Sequence, residues 1–133
     1  MTSQVASCSC GQLRVTWEGD PVRISICHCL ECQKRTGGVF ATQARFTREH
    51  VRIEGRGTQW TRLGDSGQPA TFHFCPTCGS TVYWELAGAP GLLTVAVGAF
   101  ADPSFPPPRV SVYEERQHPC ALAVRELPLE HQF

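Results

Sequence analysis

The chain has 133 residues, enough for one hydrophobic core and too few for two independent ones. Twelve Lys and Arg balance twelve Asp and Glu, and no basic run exceeds Lys34-Arg35, so the charge argues against a nucleic-acid or anionic-lipid partner. The opening residues carry no signal-like charged or apolar region, and no stretch approaches the roughly 18 apolar residues of a membrane span. The expectation is a soluble, cytoplasmic protein forming a single domain over 1–133.

Alternation with a period of two predicts strands in LRVTW (13–17), VRISIC (22–27), VFATQARF (39–46) and ATFHFC (70–75). Further β-branched and aromatic runs follow in STVYWEL (80–86), LLTVAVGAF (92–100) and RVSVYEE (109–115), with Gly and Pro between them. No segment shows apolar residues at helical spacing over three turns, so helix is expected to be minor and the fold class mainly β. The Pro-rich stretch ADPSFPPPRV (101–110) reads as a stiff surface connection before a strand.

Eight cysteines fall mostly into three clusters: Cys8 and Cys10 in CSCG, Cys27, Cys29 and Cys32 in CHCLEC, and Cys75 and Cys78 in CPTCG. Without a signal peptide the expected chemistry is metal ligation, and the one-residue-separated pairs could bridge internally only with strain. Gly11 and Gly79 directly follow the last cysteine of their clusters, where a positive φ would form a knuckle with amides turned toward the sulfurs. Two such knuckles make a closed four-sulfur site from Cys8, Cys10, Cys75 and Cys78, of the kind that holds zinc for structure. Cys27, Cys29 and Cys32 then form a second site whose fourth position is open, the arrangement in which zinc does chemistry.

Spacing alone also permits Cys75 and Cys78 to join two cysteines of the middle cluster as a local zinc ribbon. The open position has its own competitors: Cys120, His28, His50, His73 or His118 would close it and leave a non-catalytic zinc-binding interaction module. His28 is pinned between two ligands and is expected to point away, His73 is expected at an exposed strand position, and the HPC of 118–120 is the main rival. A zinc-storage or thiol-sensing role is a third reading. The C-x-C-x-x-C spacing departs from the usual iron–sulfur patterns. A redox C-x-x-C at Cys29 and Cys32 would need a helix N-terminus after a parallel strand, which this sequence is not expected to supply.

The ordered set CSCG, CHCLECQKRTGG, FCPTCGSTVYW and VAVGAFADP resembles the glutathione-dependent formaldehyde-activating enzyme family, whose domain is shared with centromere protein V. The resemblance runs from about Ser7 to about Leu122. It implies an Mss4-like fold of antiparallel β-sheets and two zinc ions per chain. Carried onto matching positions, it implies a structural site at Cys8, Cys10, Cys75 and Cys78 and a catalytic one at Cys27, Cys29 and Cys32. The implied reaction is that of a carbon–sulfur lyase run in reverse, the condensation of glutathione with formaldehyde to S-hydroxymethylglutathione, with a small-molecule thiol and an aldehyde as partners.

The cysteine chemistry suits such a reaction. A free thiol with a pKa of about 8.5 is mostly protonated at neutral pH, and zinc raises its thiolate fraction. Zinc could instead polarise the aldehyde oxygen, but three thiolate ligands weaken it as a Lewis acid and favour thiol activation. Lys34 and Arg35, just after the last ligand and before Thr36-Gly37-Gly38, are candidate contacts for substrate anions. Seven thiolates and two Zn²⁺ sum to about −3, which weakens a nucleic-acid reading further.

Overall fold

The computed structural model describes residues 4–121 and 128–130, so residue 122, the expected end of the core domain, lies outside the described residues. In chain order the strands are β1 (Gln4–Ser7), β2 (Arg14–Trp17), β3 (Arg23–Cys27), β4 (Ala41–Thr47), β5 (Val51–Glu54), β6 (Thr58–Leu63), β7 (Pro69–Phe74), β8 (Thr81–Leu86), β9 (Leu92–Ala96) and β10 (Val110–Val112). One short helix, α1 (Leu30–Thr36), lies between β3 and β4. The fold is mainly β, as the alternation predicts. No helix among the described residues is long and apolar enough to cross a membrane.

The strands form two sheets. The smaller is antiparallel in the order β1-β2-β5, and the larger runs β10-β3-β4-β9-β8-β7-β6. All pairings are antiparallel except that of β10 with β3, which is parallel. The main core joins Val15 and Trp17 of β2 and Val51 of β5 to Ile24, Ala44, Phe46, Leu93 and Val95 of the larger sheet. Each large apolar side chain withdrawn there contributes about 1.5–3 kcal/mol relative to exposure. Trp17 is the hub: its ring lies 4.5 Å from Phe46 and 4.6 Å from Phe100, and its Nε1–H donates to the Gly19 carbonyl (3.1 Å), so its polar edge is satisfied.

Alternation sends the other side chains of β3 and β4 to the opposite face of the large sheet. Arg23, Ser25 and Cys27 of β3 stand opposite Arg45, Gln43 and Ala41 of β4. Thr94 of β9, Trp84 of β8 and Phe72 of β7 continue this row across the sheet. Of this row, Arg23, Cys27, Gln43, Arg45, Trp84 and Phe72 line the cleft described below.

Several elements differ from the sequence expectation. Strands β1, β5 and β6 were not expected, because four-residue edge pieces and the mostly exposed TQWTRL carry too little alternation. The run at 92–100 pairs only as far as Ala96 and then tightens into a 3₁₀ turn, Val97–Phe100. The run at 109–115 keeps only Val110–Val112, because Tyr113 takes φ 57° and turns the chain into a second 3₁₀ turn, Glu114–Arg116. The Pro-rich connection is more than a spacer: its Phe105 is buried and stacks on Phe100 at 4.5 Å and 6°.

Candidate functional site

The first cysteine group is built from two matching turns. In the β1–β2 turn, Cys8 N–H donates to the Leu13 carbonyl (3.0 Å) and Gly11 N–H to the Cys8 carbonyl (3.0 Å); in the β7–β8 turn, Cys75 N–H donates to Ser80 (3.0 Å) and Gly79 N–H to Cys75 (2.8 Å). Gly11 and Gly79 sit at φ 83° and 80°, the left-handed backbone that the knuckle reading requires. The turns are joined by Ser9, whose N–H donates to the Ser80 hydroxyl (3.2 Å). Sulfurs of Cys8, Cys10, Cys75 and Cys78 all lie within 4.8 Å of one another, so the smaller and larger sheets meet at this point.

Neighbouring donors suit thiolates here. Leu13 N–H points at Cys8 Sγ (3.3 Å), Thr77 N–H at Cys75 Sγ (3.3 Å), and Gln12 Nε2 at Cys75 Sγ (3.0 Å). Gln12 is itself held by the Arg56 backbone on both sides of its amide, at 2.8 and 3.0 Å. The Ser80 hydroxyl and amide hold the Cys78 thiol down to about 5.

The second group lies where β3 becomes α1. Cys27 ends the strand, Cys29 is the helix N-cap, and Cys32 sits in the first turn with its N–H donating to Cys29 Sγ (3.2 Å). A cap of this type satisfies one of the free amides at a helix start, which is why a seven-residue segment with one buried residue is helical at all. Gly37 closes the other end, donating to the Gln33 carbonyl (2.9 Å). The expectation that Cys29 and Cys32 lack a helix N-terminus after a parallel strand is therefore corrected: α1 supplies the first and the β3–β10 pairing the second.

All three sulfurs are buried and lie within 4.8 Å of one another. Hydrogen bonds from the Cys27 and Cys32 thiols, with the Cys32 N–H and the charge of Arg62, pull the Cys29 thiol down to about 2, while its neighbours push Cys27 up. Three thiolates this close repel one another unless a cation lies between them. Tetrahedral ligation at 2.3 Å places sulfurs about 3.8 Å apart. The separations are 3.6 Å for Cys8–Cys10, 3.6 Å for Cys10–Cys75 and 3.5 Å for Cys27–Cys32, so both donor sets fit a zinc-sized ion. No cysteine among the described residues is in a disulfide.

Among the described residues no further His, Cys, Asp or Glu joins the trio. Cys120 is exposed and outside both groups. His28 is fully buried, with Nε2 3.2 Å from the Ser111 hydroxyl, and His118 Nε2 lies 2.9 Å from Gln33 Oε1. His50 ends a 3₁₀ turn and belongs to neither group. His73 is buried instead of exposed because both faces of the sheet are covered here: Phe72 faces the cleft, and on the opposite face the His73 ring stacks on buried Tyr83 at 4.3 Å and 9°.

The trio opens into a cleft of about 670 Å³ over the polar face of the large sheet. Neither Lys34 nor Arg35 is among its lining residues; Lys34 is highly exposed and pairs with Glu31 at 3.7 Å. Arg35 lies flat on the aromatic wall, its guanidinium 4.2 Å from the Trp84 ring centre and 5.2 Å from Phe72, with Nη2 3.9 Å from Cys32 Sγ. The cleft also brings in residues that the sequence reading missed: Arg23, Arg45, Arg62, Gln43 and Trp84. A signal was present, since Arg23 and Cys27 are four apart in one strand and so share a face, as do Gln43 and Arg45.

A two-sheet, mainly β chain with a closed cysteine quartet and an open cysteine trio, each able to hold a metal ion, defines a class of cysteine-centred β proteins. The sequence matches the glutathione-dependent formaldehyde-activating enzyme family over residues 3–116, and the chain belongs to that family. A crystal structure of a Rhodobacter sphaeroides protein from a structural-genomics programme shares the fold, with a TM-score of 0.58 and 22% identity over 77% of this chain and 91% of that one. No curated protein matches the chain.

Proposed function

We propose that the protein is a zinc-dependent carbon–sulfur lyase or synthase acting on a thiol–aldehyde adduct such as S-hydroxymethylglutathione, with Cys27, Cys29 and Cys32 as the reactive centre and Cys8, Cys10, Cys75 and Cys78 as the structural one. The observation that carries the reading is the contrast between the groups. Four sulfurs complete one coordination shell, whereas three buried sulfurs at the end of a cleft leave a position for a ligand from solution.

In the synthetic direction the substrate sulfur forms a bond to the formaldehyde carbon, the carbon–oxygen π bond breaks, and the thiol proton ends on the new hydroxyl; the lyase direction reverses each change. When bound, zinc supplies positive charge that favours the thiolate form of a thiol at its open position. The chain's own residues set the conditions. The α1 cap fixes Cys29 and Cys32, and Arg35, laid on Trp84, leaves one guanidinium nitrogen facing Cys32 and spreads positive charge beside the sulfurs. Trp84, Phe72 and Ala70 form an apolar wall of the same cleft.

Magnetisation-transfer NMR on glutathione and formaldehyde at equilibrium tests this. Exchange between free and hydroxymethylated glutathione is expected to accelerate with zinc-loaded protein and to return to the uncatalysed rate with Cys29→Ser. Equal rates with and without the protein would sink the proposal.

A further inference from the structure

The cleft holds a second feature that the reaction at sulfur does not use. Arg23 and Arg45 are directly opposite each other in the β3–β4 ladder, with Cα atoms about 5 Å apart, and both side chains line the cleft. Like charges facing each other across strands destabilise a sheet. Nothing among the described residues relieves them: neither makes a salt bridge, and the Nε of each is buried with no hydrogen-bond partner. Burial, and then the charge of Arg23, lowers the pKa of Arg45. Arg62 reaches the same cleft from β6, its guanidinium 5.2 Å from the Phe72 ring and likewise without a carboxylate. The acidic residues lining the cleft are occupied elsewhere, Asp65 with Arg116 at 2.7 Å and Glu31 with Lys34 at 3.7 Å.

Half-buried guanidinium groups without acids are a site for an anion that arrives from outside, and their planar donor forks match a carboxylate. Position sets the ligand's shape. Arg23 is four residues from Cys27 on one strand face, about 13 Å at 3.3 Å per residue; Gln43 lines the cleft between them, and Ser25 is buried on the same strand face. The Ser25 hydroxyl has no partner either.

We propose that Arg23 and Arg45, supported by Arg62, form an anion subsite that binds a carboxylate of an extended thiol substrate whose sulfur reaches the cysteine trio. This rests on the proposed function for the identity of the other end of the ligand. The cleft therefore selects thiols that carry a remote carboxylate and discriminates against neutral thiols of the same length.

The test is calorimetric titration of the zinc-loaded protein with S-methylglutathione, a thioether that keeps both carboxylates and cannot react, alongside its dimethyl ester and inorganic phosphate. The parent is expected to bind the dicarboxylate at least tenfold more tightly than the ester. R23Q and R45Q are each expected to lose at least tenfold for the dicarboxylate while melting no lower than the parent, because each removes a repulsion. R45K is expected to recover part of the affinity. No binding by the parent, or equal affinity for acid and ester, would overturn the subsite. Arginine-dependent binding of phosphate without the dicarboxylate would overturn the carboxylate assignment. A lower melting point together with equal loss for acid and ester would mark a structural role and also overturn it. Failure of the exchange assay with success here would remove the reaction and leave the subsite; the reverse would remove the subsite alone.

Discussion

Replacing Cys75 with serine measures how strongly the quartet ties the sheets together. Cys75 is fully buried, and its sulfur lies 3.6 Å from that of Cys10, 65 positions away in sequence. A cross-link closing a loop of that length removes about 4 kcal/mol of unfolded-chain entropy. With an unfolding entropy of about 2.1 cal/mol/K per residue over 133 residues, that loss corresponds to a fall in melting temperature of about 15 °C. Serine is close in size and can still accept from Gln12 Nε2, so the substitution separates metal ligation from cavity formation. The assay is thermal unfolding of zinc-loaded parent and variant, with and without a chelator. The parent is expected to fall to the variant's melting temperature on chelation, and the variant to change little. A variant melting within about 3 °C of the parent, less than 1 kcal/mol on this scale, would refute the view that this quartet carries a structural metal.

Cys29→Ser is expected to stay folded and to lose about one zinc per chain, read by native mass spectrometry; global unfolding would make the trio structural as well. Arg35→Ala removes a guanidinium packed on Trp84 and a donor to Cys32, at a cost of about 1 kcal/mol, and is expected to release zinc from the trio at lower chelator concentration than the parent. Unchanged release would separate Arg35 from the metal site. Phe105→Ala is expected to cost about 3 kcal/mol or more in a denaturant titration, since it empties the partner face of Phe100. A cost near zero would return the Pro-rich connection to the role of a surface spacer.

The legible parts of the fold are those where one local rule decides. Arg14–Trp17 and Arg23–Cys27 alternate because one face packs the core, and Gly11 and Gly79 follow cysteines because the knuckle needs left-handed backbone. Helix α1 was hidden because its stability comes from a cysteine cap and a glycine stop instead of an apolar stripe. His73 departs from the expectation because alternation assigns a face and not its burial: with Phe72 turned to the cleft, His73 lies on the opposite face against buried Tyr83. The cleft's arginines escaped notice because isolated charges in a strand read as solvent-facing. Only the strand order places the row from Cys27 to Arg62 on one concave face.

That strand order also explains why the site and the core cannot be varied separately. In the β3–β4 ladder Arg23 faces Arg45, Ser25 faces Gln43 and Cys27 faces Ala41, while Ile24 and Ala44 turn into the main core. A slip of one residue would drive the arginines among Trp17, Phe46 and Phe100 and put isoleucines where the sulfur and the anion contacts stand. Burying an unpaired guanidinium costs several kcal/mol, so the core itself rejects the slipped register. The small side chain of Ala41 opposite Cys27 leaves room beside the sulfur, and the cysteine-capped helix that follows turns the next two thiols back toward it. Hydrophobic pairing on one face thus holds the charged and sulfur groups of the other in position, and the repulsion between Arg23 and Arg45 persists because the packing behind them outweighs it.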